Sequence, residues 1–244
     1  MSEIYAKIDE KYIKNWLKTL KRAVSAEDYE RHKRIINSNQ EIIDIKMGDI
    51  RALAKELSKC DFKPYLSTAK ASSKESEFYE ETLIQGLLIS SIKNLDEQLN
   101  EFSWWVKKID NWSTCDSVCA SLKILKRCKE KEKYFNFFYD ISFSKEEFVS
   151  RFGIVTIMSV FLESQFLDKI IELCKRVKSD FYYVNMGLAW LISFLFMKFK
   201  NETYELFESN TLSKFVQNKA ISKCRDSFQV SGEDKDRLIN YRKK

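Results

Sequence analysis

A chain of 244 residues that is 44% hydrophobic can bury a sizeable core, but one Pro and five Gly are too few to punctuate a sandwich or barrel, so helices joined by short polar corners are expected. Lys+Arg 42 against Asp+Glu 36 leaves a formal net charge of +6, which permits a polyanionic partner without requiring one. A single His, His32, removes most of the ground for triads and zinc sites built on imidazole.

Residues 1–9 lack the basic-then-apolar pattern of a secretory leader. The next segments follow helical periodicity: Tyr12, Trp16, Leu17, Leu20 and Val24 form one apolar stripe, and Ile50, Leu53, Ala54 and Leu57 another. His32, in the charged run YERHKRIIN, reads as a solvated helix residue. CDFKPYLSTAKASSKES, around Pro64, reads as the clearest loop, and a long helical pattern resumes over 77–92. Helices then come in pairs: 95–109 with 113–125, 131–140 with 145–161, 165–177 with 180–200, and 203–208 with 214–228. The second members recur about every 35 to 40 residues, the spacing of HEAT and armadillo arrays.

These observations predict an all-α fold, a curved α-α superhelix of HEAT-like helical repeats forming a single domain over 1–244, with an irregular bundle as the alternative. Its open concave face could serve a monomer. Val184 to Phe199, the most apolar run, is interrupted by Asn185 and Lys198 and is too short to span a bilayer. The six Cys, without CxxC spacing, read as reduced, buried thiols, and a soluble cytoplasmic protein follows as the expectation.

In a stacked array the second helices line the concave face, so residues at matching depth converge. Asp116, Arg151 and Trp190 fall on successive second helices, 35 and 39 residues apart. Arg151 shares an apolar stripe with Phe148, Ile154, Val155 and Met158, so it needs an anion, either an internal carboxylate or a phosphate. Trp190, in VNMGLAWLISFLF, is either core or an accessible ring flanked by Gly187 and Ser193. Asp116, in DNWSTCDSVCASL, stands three residues after Ser113, the spacing of a capping box, which would account for the acid without any chemistry. That account leaves Trp112 unexplained. A carboxylate acting without His or metal can stabilise a cation forming at a sugar carbon and orient water beside it. Aromatic faces add attraction for a sugar or a cationic base. Such a site suits an N-glycosidic bond whose leaving group is already positively charged.

Five stretches carry a resemblance: IKMGDIRALAKEL (45–57), WWVKKIDNWSTCDSVCASL (104–122), FVSRFGIVTIMSVFL (148–162), SDFYYVNMGLAW (179–190) and NKAISKCRDS (218–227). In this order they resemble the DNA alkylation repair glycosylases of the AlkD type, a HEAT-like-repeat family, over nearly the whole length. The resemblance implies that Asp116 is the catalytic acid, that Trp112 and Trp190 flank the sugar of the damaged nucleotide, and that Arg151 meets the DNA backbone. It implies 3-methyladenine and 7-methylguanine in double-stranded DNA as substrates, no cofactor or metal, and a damaged base that is not drawn into a pocket. Asn111 stands where relatives often carry another Trp, Ser193 where an Arg is common, and Gly48 where Pro is usual.

Two other readings stay open. A catalytically silent repeat scaffold that binds DNA or protein fits the capping-box account of Asp116. A thiol chemistry at Cys115 and Cys119, one helical turn apart, lacks the neighbouring His or Lys it would need. The basic run KILKRCKEKEK and the tail DRLINYRKK could grip DNA or could simply be solvated or frayed.

Overall fold

The computed structural model describes residues 8–72 and 76–244. Of the stretch lacking a leader pattern, residues 1–7 lie outside that description, as do 73–75 of the expected loop. The first helix, α1 (Glu10–Thr19), begins where the Asp9 carboxylate accepts the Tyr12 N–H at 2.8 Å. Its buried line is Ile13 and Leu17. Tyr12 and Trp16 instead pack edge to face on the outer side at 5.7 Å, with Tyr12 well exposed, so the expected stripe is displaced around the helix. Ser25 caps α2 (Ala26–Ile36), which ends on Asn37 in the left-handed region at φ 55°. Ile50, Leu53, Ala54 and Leu57 are all buried along α3 (Met47–Leu57), as their spacing predicts.

The expected loop around Pro64 is a helix, α4 (Lys63–Ala71). Pro64 lies in its first turn, where an N–H has no intrahelical acceptor and a fixed φ favours the helix, so here the proline opens a helix. Every residue of α5 (Tyr79–Ser90) is buried, the polar ones included. Asn94 caps α6 (Leu95–Trp105), which tightens into a 3-10 turn at Val106–Lys108. The single helix expected at 113–125 is two, α7 (Trp112–Cys119) and α8 (Lys123–Arg127). Between them the Ser121 hydroxyl bonds back to the Ser117 carbonyl at 2.8 Å, offering the chain an alternative to the helical ladder. Within this part α5 packs against α3, α6 and α7.

The described residues form two compact units, the first ending at Arg127 and the second being Cys128–Lys244. The second unit contains α9 (Lys131–Ile141), α10 (Glu147–Val160), α11 (Leu167–Arg176), α12 (Tyr182–Lys198), α13 (Lys200–Glu208), α14 (Lys214–Asp226) and α15 (Gly232–Ile239), with a 3-10 turn at Ser164–Phe166. Its core is aromatic: Phe135, Phe138, Phe152 and Phe161 are fully buried, and Phe135 stacks on Phe166 at 4.6 Å. Helices α10, α12 and α14 pack in succession and run the same way. Phe148 meets Tyr183 while Val155 faces Gly187, and Tyr182 meets Phe215 while Lys223 lies over Trp190. Partners in these pairs are 32 to 35 residues apart, so the sequence periodicity corresponds to stacked, co-directional second helices inside this unit.

Among the described residues there is no strand, only an isolated bridge between Glu41 and Phe78, and the fold is all-α. None of the described helices is long and apolar enough to cross a membrane. All six Cys are free; four are buried and Cys60 and Cys128 are half-buried. Burial pushes the Cys224 thiol up to about 12, which makes it a poor nucleophile. The basic tail is not frayed: Asn218 pairs with the Lys243 backbone in both directions at 2.9 Å, and Gln217 donates to the Tyr241 carbonyl at 2.6 Å.

His32 departs from the solvated reading. Its Nδ1 lies 3.2 Å from the buried Asp44 carboxylate, which also faces Arg22 at 3.4 Å. Asp44 sits at φ 69°, and the wholly buried Glu80 accepts the Ile43 and Asp44 N–H groups at 3.2 and 2.9 Å, fixing that turn. Burial pushes the carboxyls of Glu80 and Glu81 up from 4.5, to about 7 and about 6. Both folded-state values exceed the unfolded one, so these acids favour the fold when protonated. Their contribution is complete below about pH 4.5 and is lost as pH rises through about 7. Unfolding in urea at pH 5 and pH 8 should therefore give a lower midpoint at pH 8, and Glu80→Gln should flatten the difference; an unchanged difference in the variant would exclude Glu80 as its source.

Candidate active site

Asp110 and Asn111 build the entrance to α7. Both oxygens of Asp110 accept the Ser38 hydroxyl, at 3.0 and 2.9 Å, one takes the Asn39 N–H at 2.6 Å, and the other takes the Asn111 amide at 2.8 Å. The Asn111 side-chain oxygen accepts the Thr114 N–H at 2.9 Å and so caps the helix. The capping-box account of Asp116 is thereby corrected: the helix begins one residue earlier than Ser113, and Asp116 is its fifth residue, beyond the turn whose amides need a cap. The residue noted only as a departure from the family pattern is the cap itself. An Asx residue directly before an apolar helix start was the signal that could have revealed it. Asn111→Ala should destabilise the protein by about 1 to 2 kcal/mol, read as a lowered urea midpoint, because a buried cap and its bond to Asp110 are both lost.

Trp112 opens α7 half-buried, its indole N–H donating to the Ile35 carbonyl at the end of α2 at 2.8 Å. That bond fixes the ring plane from outside the helix. Asp116 follows four residues later, one turn along and on the same side, and is also half-buried. Cys115 and Cys119 are buried, which fits packing and leaves no exposed thiol for the chemistry considered from sequence.

Arg151, on α10, is 5% exposed. Its Nη1 donates to the Tyr183 carbonyl at 2.6 Å, and the guanidinium lies 5.9 Å over the Tyr183 ring. Glu147, one turn earlier, accepts the Tyr183 N–H at 2.8 Å, so α10 holds the start of α12 through both backbone groups of one residue. Gly187 of α12 lies against Arg151 and Val155, where a Cβ would stand 3.4 Å from Arg151 Nη1, an ordinary contact distance. Trp190, a turn further along α12, is half-buried. Its ring meets Phe194 edge to face at 6.1 Å, and Lys223 of α14 lies 5.7 Å from its centroid. Sequence reasoning placed Arg151 and Trp190 on neighbouring helices but did not find Tyr183, Glu147 or Lys223, whose roles arise from contacts between helices.

The structure thus sets Trp112 beside Asp116 in the first unit, and Arg151 and Trp190 along adjacent helices in the second. A carboxylate beside an indole can stabilise a sugar cation, and a guanidinium can meet a carboxylate or a phosphate. No curated protein and no solved structure matches the chain significantly. The DNA alkylation repair enzyme family does match it, over residues 16–194, a stretch that includes Trp112, Asp116, Arg151 and Trp190 and most of the chain, and the protein belongs to that family.

Proposed function

We propose that this DNA alkylation repair enzyme is a monofunctional DNA glycosylase. It would hydrolyse the N-glycosidic bond of cationic alkylated purines, 3-methyladenine and 7-methylguanine, in duplex DNA, the opening step of base excision repair. Family membership supports DNA as the substrate and alkylation repair as the process. The observation that carries the finer reading is Asp116: relieved of capping by Asn111, it stands one turn from an indole held in place by the Ile35 carbonyl.

In this mechanism the bond between the sugar C1′ and the purine nitrogen breaks with both electrons going to the base, which leaves neutral because it was cationic. Little acid catalysis is needed for such a leaving group, which suits a chain whose one His is paired with Asp44. The Asp116 carboxylate stabilises the positive charge that develops at C1′ and orients the incoming water, whose proton passes to solvent or to the carboxylate. Trp112 offers an aromatic face to the sugar, and in the second unit Trp190 offers an aromatic face and Arg151 a guanidinium to the DNA strand. The product is an abasic site.

The test is release of labelled 3-methyladenine and 7-methylguanine from methylated duplex DNA, with abasic sites counted in parallel. Free base and abasic sites should appear in equal amounts and only from alkylated DNA. Folded protein that binds the duplex yet releases neither base would replace this reading with that of a silent scaffold.

A further inference from the structure

Two of the largest exposed rings of the second unit stand together at the starts of α12 and α14. Tyr182 is 55% exposed and Phe215 is 42% exposed, and their rings lie 6.0 Å apart at 62°. Large aromatics left in water at a helix start carry a solvation penalty that a partner would remove. Phe215, Lys219 and Lys223 follow one another at four-residue spacing, so one face of α14 presents a ring and then two cations. Beside Phe215 a shallow groove is lined by Lys214, Asn218, Lys219 and Ser222. Along α14 the cations Lys214, Lys219, Lys223 and Arg225 face a single acid, Asp226. Because α12 and α14 run the same way, Tyr182 with Phe215 is followed two turns later by Trp190 with Lys223. That strip is roughly 12 Å long at 1.5 Å per residue.

Rings alternating with lysines along a track of this length match the chemistry of a single nucleic-acid strand, whose bases stack on aromatic faces while its phosphates meet cations. An apolar protein partner would find its contact interrupted by lysines at each turn. A base-paired duplex keeps its π-faces covered and would leave Tyr182 and Phe215 without a partner.

We propose that Tyr182 and Phe215, supported by Lys219, form a stacking platform for unpaired bases, giving the enzyme a grip on single-stranded DNA in addition to the duplex on which it acts. The platform rests on the reading of DNA as substrate but not on the glycosylase chemistry. It would favour DNA that is gapped, frayed or unwound near a lesion.

Fluorescence anisotropy with a labelled oligothymidylate of about 20 nucleotides, and with an intact duplex of the same length, tests it. Wild-type protein should bind the single strand, and the double substitution Tyr182→Ala with Phe215→Ala should weaken that binding about 10-fold, the scale of one lost stacked base. Tyr182→Phe should retain it, since the ring face is what matters. Duplex affinity, thermal midpoint and base release from methylated duplex should be unchanged in all variants. No binding of the single strand by wild type, no loss in the double variant, or an equal loss on strand and duplex would each overturn the proposal. A fall in sedimentation mass on making the double variant would overturn it too, by assigning the rings to contact between copies of the chain. Failure of the glycosylase reading is separable, because it appears as absent base release with the strand grip intact.

Discussion

Asp116→Asn is expected to lower base release from methylated duplex DNA by about 10²- to 10³-fold, the usual loss when one group facing a developing charge is removed. The substitution keeps the shape of the side chain, removes its negative charge and replaces one acceptor oxygen by an NH2 donor. The start of α7 depends on Asn111 and Asp110, so the helix should form unaltered. Binding of the duplex should be retained or slightly strengthened, because a carboxylate near phosphate repels it. Single-turnover release measured beside duplex affinity separates these effects. Equal release by wild type and variant would remove Asp116 from the chemistry, whereas loss of both release and affinity would point to a structural defect.

Gly86→Ala should be among the most destabilising single changes in the first unit, at about 3 kcal/mol, the upper range for overpacking a core. A Cβ at Gly86 would stand 2.2 Å from Trp105 Cζ2 and 2.6 Å from Val118 Cγ2. Trp105 is wholly buried and cannot retreat freely, because its indole N–H is bonded to the Thr82 carbonyl, on the same helix as Gly86, at 2.8 Å. The methyl group would also gain helix propensity of up to about 1 kcal/mol, so the net loss measures the clash against that gain. Val118 lies two residues beyond Asp116, so the displaced packing reaches the helix that carries the candidate acid. Urea unfolding of the variant should give a lower midpoint, and adding Trp105→Phe should recover part of the loss because the two sites share one space. A variant as stable as the wild type would refute the close approach of α5, α6 and α7.

Helical periodicity and the scarcity of Gly and Pro determined the all-α class and most helix positions, since the spacing of apolar side chains is a local property that burial must satisfy. The stripe of α3 and the span of α10 follow directly from it. Several things could not be read that way. Pro64 is compatible with both a loop and a first helical turn, and packing of Tyr65 and Leu66 into the core decided for α4. Ser113 and Asn111 are both competent caps, and the cap is Asn111, whose amide is held by the Asp110 carboxylate that the Ser38 hydroxyl and the Asn39 N–H fix in place. His32 lies in a charged run, but the turn held by Glu80 brings Asp44 to it across 12 residues of chain. The residue types for the proposed chemistry were therefore legible in one dimension. The tertiary structure decided which hydrogen bonds hold Trp112 to the Ile35 carbonyl, seat Arg151 against Tyr183 and tie Asp110, beside the cap of α7, to Ser38 and Asn39, because those bonds join segments that are distant in sequence.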